Sequence, residues 1–291
     1  MSQTQILHRR IRSVKNAKQI TKAMEVVAAS RMRRIAEAAA KTQAYGLLAK
    51  QIVARISVTE EARHNRYFKS SGEGKTLYVI FTSDRGLAGA YNSNVFNSAL
   101  EAFVKNQQTN GRPSVIVFGK KGARFFSRFE GIDLIGEYED TADVPPANLF
   151  APILEAIANG LAGEHFTGVQ AVYTKFNSAM NQSVQVQQLL PITVEQNGEG
   201  GEEIPKLAYE FEPSINQVID EAVRLYLEAS FMVAKVDASA SEYAMRMMAM
   251  GSANRNASDL IDDLTLELNA SRQAAITAEI AEISVGAEAV K

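Results

Sequence analysis

The chain has 291 residues, 46% of them hydrophobic, with 31 Lys and Arg against 33 Asp and Glu and a formal net charge of −2. That is the composition of folded globular protein, and it excludes collagen, disordered tails and membrane channels. The absence of cysteine removes disulfides, thiolate zinc sites and thiol nucleophiles, and His8, His64 and His165 are too scattered for a metal or triad site.

The charge is unevenly spread. Residues 1–36 carry nine basic residues against the single acid Glu25, whereas 256–291 carry seven acids against Arg272 and Lys291. The two ends are electrostatic complements. A basic start also suits nucleic acid, an anionic membrane or an organelle transit peptide. No apolar run approaches the roughly 20 residues of a membrane-spanning helix, so membrane association is expected only through a partner.

Breakers mark the organisation. All seven prolines lie between Pro113 and Pro213, and Gly46 is the only glycine before Gly72. Two breaker-poor arms therefore flank a turn-rich middle. In the first arm Leu7, Ile11, Val14, Met24, Ala28, Ile35, Thr42, Tyr45, Ile52 and Ile56 form a helical stripe that ends before the polar Glu60–Arg66 stretch.

Gly72-Glu73-Gly74-Lys75-Thr76 ends like a phosphate loop, but Lys69 occupies the first glycine position and the segment precedes a strand instead of following one. The strand is Leu77–Phe81. After it, Thr82-Ser83-Asp84-Arg85-Gly86-Leu87-Ala88-Gly89-Ala90-Tyr91-Asn92 turns into a helix, yet lacks the third glycine and the distant acid of a dinucleotide fingerprint. It is expected to be a tight turn with a surface contact role; the alternative is that Asp84 and Arg85 simply cap the turn. Helical patterns at 94–105, 121–129 and 149–161 alternate with strands at 114–118 and 132–135. Strands at 169–174 and 184–189 follow without a helix between them, which predicts a hairpin.

Glu212-Pro213-Ser214 opens the second arm. There Ala222, Tyr226, Ala229, Val233, Val236, Ala240, Tyr243, Met247 and Met250 alternate spacings of four and three, and Ala257, Ile261, Leu264 and Leu268 continue the rhythm. This is a coiled-coil seam rich in small residues. If both arms leave the middle at one level, antiparallel partners sum to about 270, Met24 faces Arg246, and the basic start meets Asp259–Asp263. The first arm is then exhausted near residue 268. Beyond it Ala274, Ala275, Ile276, Ala278, Ile280, Ala281, Ile283, Val285 and Val290 surround the helix instead of forming one stripe, which calls for a sleeve made by other chains. The fold class expected is α/β: a long antiparallel coiled coil of N- and C-terminal helices, 1–60 and 212–288, plus a central Rossmann-like domain, 75–195.

The run Ile276-Thr277-Ala278-Glu279-Ile280-Ala281-Glu282-Ile283-Ser284-Val285-Gly286-Ala287 resembles the C-terminal signature of the gamma subunits of F-type ATP synthases. Ile20–Ser30 with Met32 and Arg33, Ser83–Leu87 and Asn256–Ile261 agree with it. The likeness starts within the first few residues, so no presequence is expected. It departs at Ala88, where relatives carry Cys, and at Gly251–Asn254, where Lys-Ala-Ala-Thr is usual; Gly251 is expected to loosen the helix by about 1 kcal/mol relative to alanine. The Cys-containing regulatory insert of chloroplast relatives is absent.

The resemblance implies a non-catalytic rotary shaft on the cytoplasmic face of the bacterial inner membrane. Its partners would be the alpha and beta subunits, epsilon and the c-ring, with no cofactor, metal or nucleic acid and no membrane contact except through the c-ring. Met24, Asp84, Arg85, Ala88, Arg246, Arg272, Gln273, Thr277, Glu279 and Glu282 would meet alpha and beta, and Phe211 and Glu212 the foot near epsilon and the c-ring. The rival expectation is a coiled-coil adaptor or nucleic-acid tether with an α/β head.

Overall fold

A computed structural model describes residues 3–69, 75–110, 112–193 and 211–289. The chain is α1 (Gln3–Ile56), α2 (Glu60–His64), β1 (Lys75–Phe81), α3 (Tyr91–Asn110), β2 (Ser114–Phe118), α4 (Lys120–Phe126), β3 (Asp133–Tyr138), a 3-10 turn (Ala147–Phe150), α5 (Ala151–Ala162), β4 (Phe166–Ser178), β5 (Asn181–Leu190) and α6 (Ile215–Ala289). It divides into two compact units, Met1–Ala29 with Arg246–Lys291, and Ser30–Met245. Gly72, Glu73, Gly74 and Val290, singled out above, lie outside the described residues.

In the second unit the strands form one sheet in the order β3-β2-β1-β4-β5. The first three neighbour pairs are parallel and β4–β5 is antiparallel, as the missing helix between them requires. The central strands read as unbroken apolar runs because both faces are covered. Tyr78, Ile80, Val115 and Val117 pack with Val95, Ala99 and Phe103 of α3 and Phe126 of α4. Leu77, Val79, Phe81, Ile116 and Phe118 face Ile153 and Ile157 of α5, Val53 and Ile56 of α1, and Val223, Leu227, Phe231 and Ala234 of α6. The coil base thus serves as part of one helical layer of the α/β domain.

The polar Glu60–Arg66 stretch is not simply a loop. Its first five residues form α2, because Thr59 caps them through its side chain, which accepts from Ala62 N–H at 3.3 Å. The start of α6 matches the expectation, with Ser214 Oγ accepting from Gln217 N–H at 3.4 Å.

Antiparallel pairing of α1 with α6 is present within each unit; from Leu7 to Lys18 it keeps the expected sum of about 270, so the basic start does meet the acidic stretch, but further along α1 the register departs from it. In the first unit Leu7 and Ile11 pack with Leu264 and Leu268, Asn254 donates to Lys18 O at 2.9 Å, and Gly251 faces Glu25. Met24 therefore lies at the level of Gly251, more than a turn from Arg246. In the second unit Arg31 meets Tyr243 and Gln43 meets Asp237. The expectation assumed that both helices start pairing where they leave the middle, whereas α6 begins at Ile215 and its first buried residue is Ile219. Among the described residues no helix is long and apolar enough to cross a membrane.

Candidate functional site

The loop after β1 is fixed from within. Asn92 Oδ1 accepts from Ser83 N–H at 3.0 Å, its Nδ2 donates to Ser83 Oγ at 2.8 Å, and Ser83 Oγ donates to Arg85 O at 2.7 Å. Leu87 at φ 64 and Gly89 at φ 57 complete the tight turn into α3. Asp84 does not cap that turn. Its Oδ1 accepts from Lys120 N–H at 3.0 Å and Asp140 N–H at 3.2 Å, so it caps α4 and ties down the chain beyond β3. The local alternative fails because the two N–H donors to Asp84 Oδ1 lie 36 and 56 residues away.

Thr82 makes the adjacent tie. Its hydroxyl donates to Phe118 O at 2.7 Å and accepts from Gly122 N–H at 3.0 Å. Gly119, at φ 97, and Gly122 leave the room: a Cβ on either would stand 2.5 Å from Thr82 atoms. Lys120 Nζ then pairs with Asp140 at 2.6 Å. A shallow cleft beside it mixes Lys120 and Arg124 with Glu137 and Glu139 and so presents no single charge.

In a sheet of this order the strand order reverses between β1 and β4, the place where open α/β sheets receive ligands. Here α6 lies against it. Thr174 and Phe176 extend beyond Val172, the last β4 residue paired with β1. Ser241 Oγ donates to Thr174 O at 3.1 Å, and the Asp237 carboxylate accepts from Phe176 N–H.

Residues 234–241 of α6 are buried without a break, so this segment is sheathed on every side, yet it carries Lys235, Asp237, Ser239 and Ser241. Asp237, 1% exposed, also accepts from Gln43 Nε2 at 3.2 Å. Burial pushes its carboxyl up to about 6, against the Gln43 bond, the Lys175 charge and the Phe176 N–H. Burial likewise lowers Lys235, which Glu242, Asp143 and Asp84 partly restore. Arg31 donates to Tyr243 OH at 2.8 Å and stands 4.0 Å from Asp143. Lys235, Asp237, Ser239, Ser241 and Gln43 were not singled out from the sequence; the run Ala-Lys-Val-Asp-Ala-Ser-Ala-Ser, small residues around two charges, was the available signal.

The predicted contact residues separate by exposure. Arg85 is exposed and Asp84 half-buried, while Ala88 is 2% exposed and leaves its methyl no free surface. In the first unit Met24 is half-buried and Arg246 is 7% exposed. Arg272, Gln273, Thr277 and Glu279 are all exposed, and Thr277 Oγ1 donates back to Gln273 O at 2.9 Å. Glu282 lies within α6. Around these residues Ile276 is 48%, Ile280 60%, Ile283 72% and Val285 69% exposed, an uncovered apolar surface on a helix that continues past the partners of Leu7. Phe211 packs against the core beneath the sheet and Glu212 is exposed beside it. Among the described residues no group of three or more His, Asp and Glu is placed to hold a metal.

A family model described as ATP synthase matches residues 3–290. The ATP synthase gamma chain of Alkaliphilus metalliredigens is 39% identical over 291 residues, 99% of this chain and 98% of that protein. The gamma chain of Clostridium novyi is 35% identical over 283 residues, covering 97% and 96%. A chain of the Euglena gracilis mitochondrial ATP synthase, solved by cryo-electron microscopy as an OSCP/F1/c-ring assembly in rotational state 3, shares the fold with a TM-score of 0.67 at 19% identity, covering 99% of this chain and 94% of that one.

Proposed function

The chain belongs to the ATP synthase gamma-chain family, and on that premise we propose that it is the central rotary shaft of an F-type ATP synthase, coupling ion flow through a c-ring to ATP synthesis or hydrolysis in an alpha/beta ring. One observation beyond family membership carries the proposal: α6 continues as an apolar, exposed helix after its partner helix has ended. Such a surface needs a sleeve, and an apolar helix in an apolar sleeve can turn because burial has no preferred angle.

The chain itself breaks and makes no bonds; each beta subunit shifts among its binding, closed and release states according to the shaft face it meets. Arg272, Gln273, Thr277, Glu279 and Glu282 are the upper contacts with alpha and beta. Met24, Arg246, Asp84 and Arg85 serve lower levels, where buried Ala88 shapes the loop from beneath. Phe211 and Glu212 belong to the foot, near epsilon and the c-ring. The segments 1–60, 75–195 and 212–288 divide the work between coil and head. The chain would lie peripherally on the cytoplasmic face of a bacterial inner membrane, held there by the c-ring and binding no nucleic acid.

Mixing the purified chain with alpha and beta subunits, and separately with duplex DNA at moderate salt, tests this. Co-elution with alpha and beta and restored steady ATP hydrolysis are expected. Co-elution with DNA and not with the ring would favour a nucleic-acid tether instead.

A further inference from the structure

Two kinds of contact hold the α/β head of the second unit to its helices, and they restrain different motions. Val223, Leu227, Phe231 and Ala234 press on one sheet face. Burial of this kind resists separation but sets no angle, so it leaves a helix free to roll or slide. β1 begins and β5 ends at the edge where the parallel strands start, since Lys75 pairs with Phe166 and Leu190 with Val169.

The directional contacts of α6 with the sheet strands themselves lie at the opposite edge. Asp237 takes the Phe176 N–H and the Gln43 amide, and Ser241, one turn further on, donates to Thr174 O. Hydrogen bonds weaken steeply as they bend, and one residue of helix is a rotation of about 100°. Rolling α6 by one residue would bring Val236 or Ala238 to the Phe176 N–H and leave a buried carboxylate without donors. Around this pair Lys235 and Arg31 stand among the carboxylates of Asp84 and Asp143, which come from the loops after β1 and β3.

We propose that Asp237 and Ser241, backed by Lys235 and Arg31 against Asp84 and Asp143, are positioning residues that fix the rotational angle of the coil against the head, so that a turning head carries the coil with it. This rests on the shaft function proposed above and assigns a torque joint inside the chain itself. Held only at the edge where the strands begin, the head would tilt and roll about the helices; held at both edges it cannot.

The test uses the full chain, alone and assembled with its ring and membrane sector in vesicles. Asp237→Ala with Ser241→Ala removes all three directional bonds, whereas Asp237→Asn keeps an acceptor. In the isolated chain, exchange of the Phe176 amide should rise about tenfold in the double variant, with β2 and α3 unchanged, and should not rise in Asp237→Asn. In vesicles the double variant should lose most of the ions moved per ATP hydrolysed at unchanged subunit content, and Asp237→Asn should retain them. Freed exchange with a parental pumping ratio overturns the joint and leaves the shaft function standing. A parental complex that hydrolyses ATP without pumping overturns the shaft function, and the joint with it. Where the double variant does not fold, Asp143→Ala carries the test: a lowered pumping ratio supports the joint, and a parental ratio overturns it.

Discussion

Gln43 on α1 donates its side-chain amide to the Asp237 carboxylate on α6, 3.2 Å away, inside a helix segment with no exposed face. The groups around Asp237 are Gln43, Lys175, the Phe176 N–H and the Tyr173 phenol, itself pushed up to about 12 chiefly by burial. Lys175 and the two donors favour the carboxylate, and burial outweighs them.

The pH dependence follows from the raised carboxyl. The folded chain holds the Asp237 proton up to about 6, against an ordinary value of 3.8. The stabilising contribution is therefore complete below the ordinary value and is lost as pH rises through 6. Asp237→Asn removes the titration and should raise stability at pH 8 by about 1–3 kcal/mol. Thermal melts of both chains between pH 5 and 8 check this; parallel melting curves across that range would count against it.

Two glycine-to-alanine changes should have opposite signs. At Gly122 a Cβ would stand 2.5 Å from Thr82 Oγ1 and Val117 Cγ1, so Gly122→Ala should cost about 1–3 kcal/mol. At Gly251 the nearest neighbour would be Glu25 Cδ at 3.6 Å, an ordinary contact within a helix, so Gly251→Ala should gain about 0.5–1 kcal/mol. Denaturant titrations read both, and equal signs would show that packing does not decide them.

Val233 packs at the seam over Gly46, with its Cγ2 2.8 Å from where a Cβ of residue 46 would be. Val233 is half-buried, so Val233→Asp should cost about 2–3 kcal/mol by placing a charge there, and should loosen the coil. Unchanged melting with normal ion pumping would remove Val233 from the seam.

Engineered disulfides separate bearing from lever, since no native thiol competes. One cysteine at the exposed Ser284 and one on the facing sleeve subunit should close a bond while much ATP hydrolysis survives. A pair built from exposed Ala90, in the loop after β1, and the facing beta subunit should stop turnover until reduced. The bond forms only where the Cα atoms approach within about 7 Å. Full activity with the Ala90 bond closed would exclude rotation at that level.

The elements were legible where periodicity was long or local. The a/d rhythm gave α6, and Ala222, Tyr226, Ala229, Val236, Ala240, Met250, Leu264 and Leu268 are buried. The apolar runs gave β1, β2 and β4, because strands covered on both faces read as runs, while β3 and β5 are only partly covered and showed shorter or alternating patterns. What stayed hidden depends on long-range placement. Asp84 looked like a cap for its own turn, but its donors come from Lys120 and Asp140. The seam reading left positions 235, 237 and 241 on the outer face of a two-helix coil, whereas the sheet and its loops bury them. The coil register was missed by up to ten residues at Gln43, since nothing local states where pairing begins.

The pairing of the two terminal helices also sets an order of events during synthesis. Lys18 and Asn254, joined by a hydrogen bond, lie 236 residues apart in the chain. At 5–20 residues per second, the N-terminal helix leaves the ribosome on the order of ten to fifty seconds before its partner exists. Through that interval Leu7 and Ile11 lack Leu264 and Leu268, the residues that cover them in the folded chain. The nascent first helix therefore carries an uncovered apolar stripe until α6 emerges, and any stall in translation before Leu264 lengthens its exposure to aggregation.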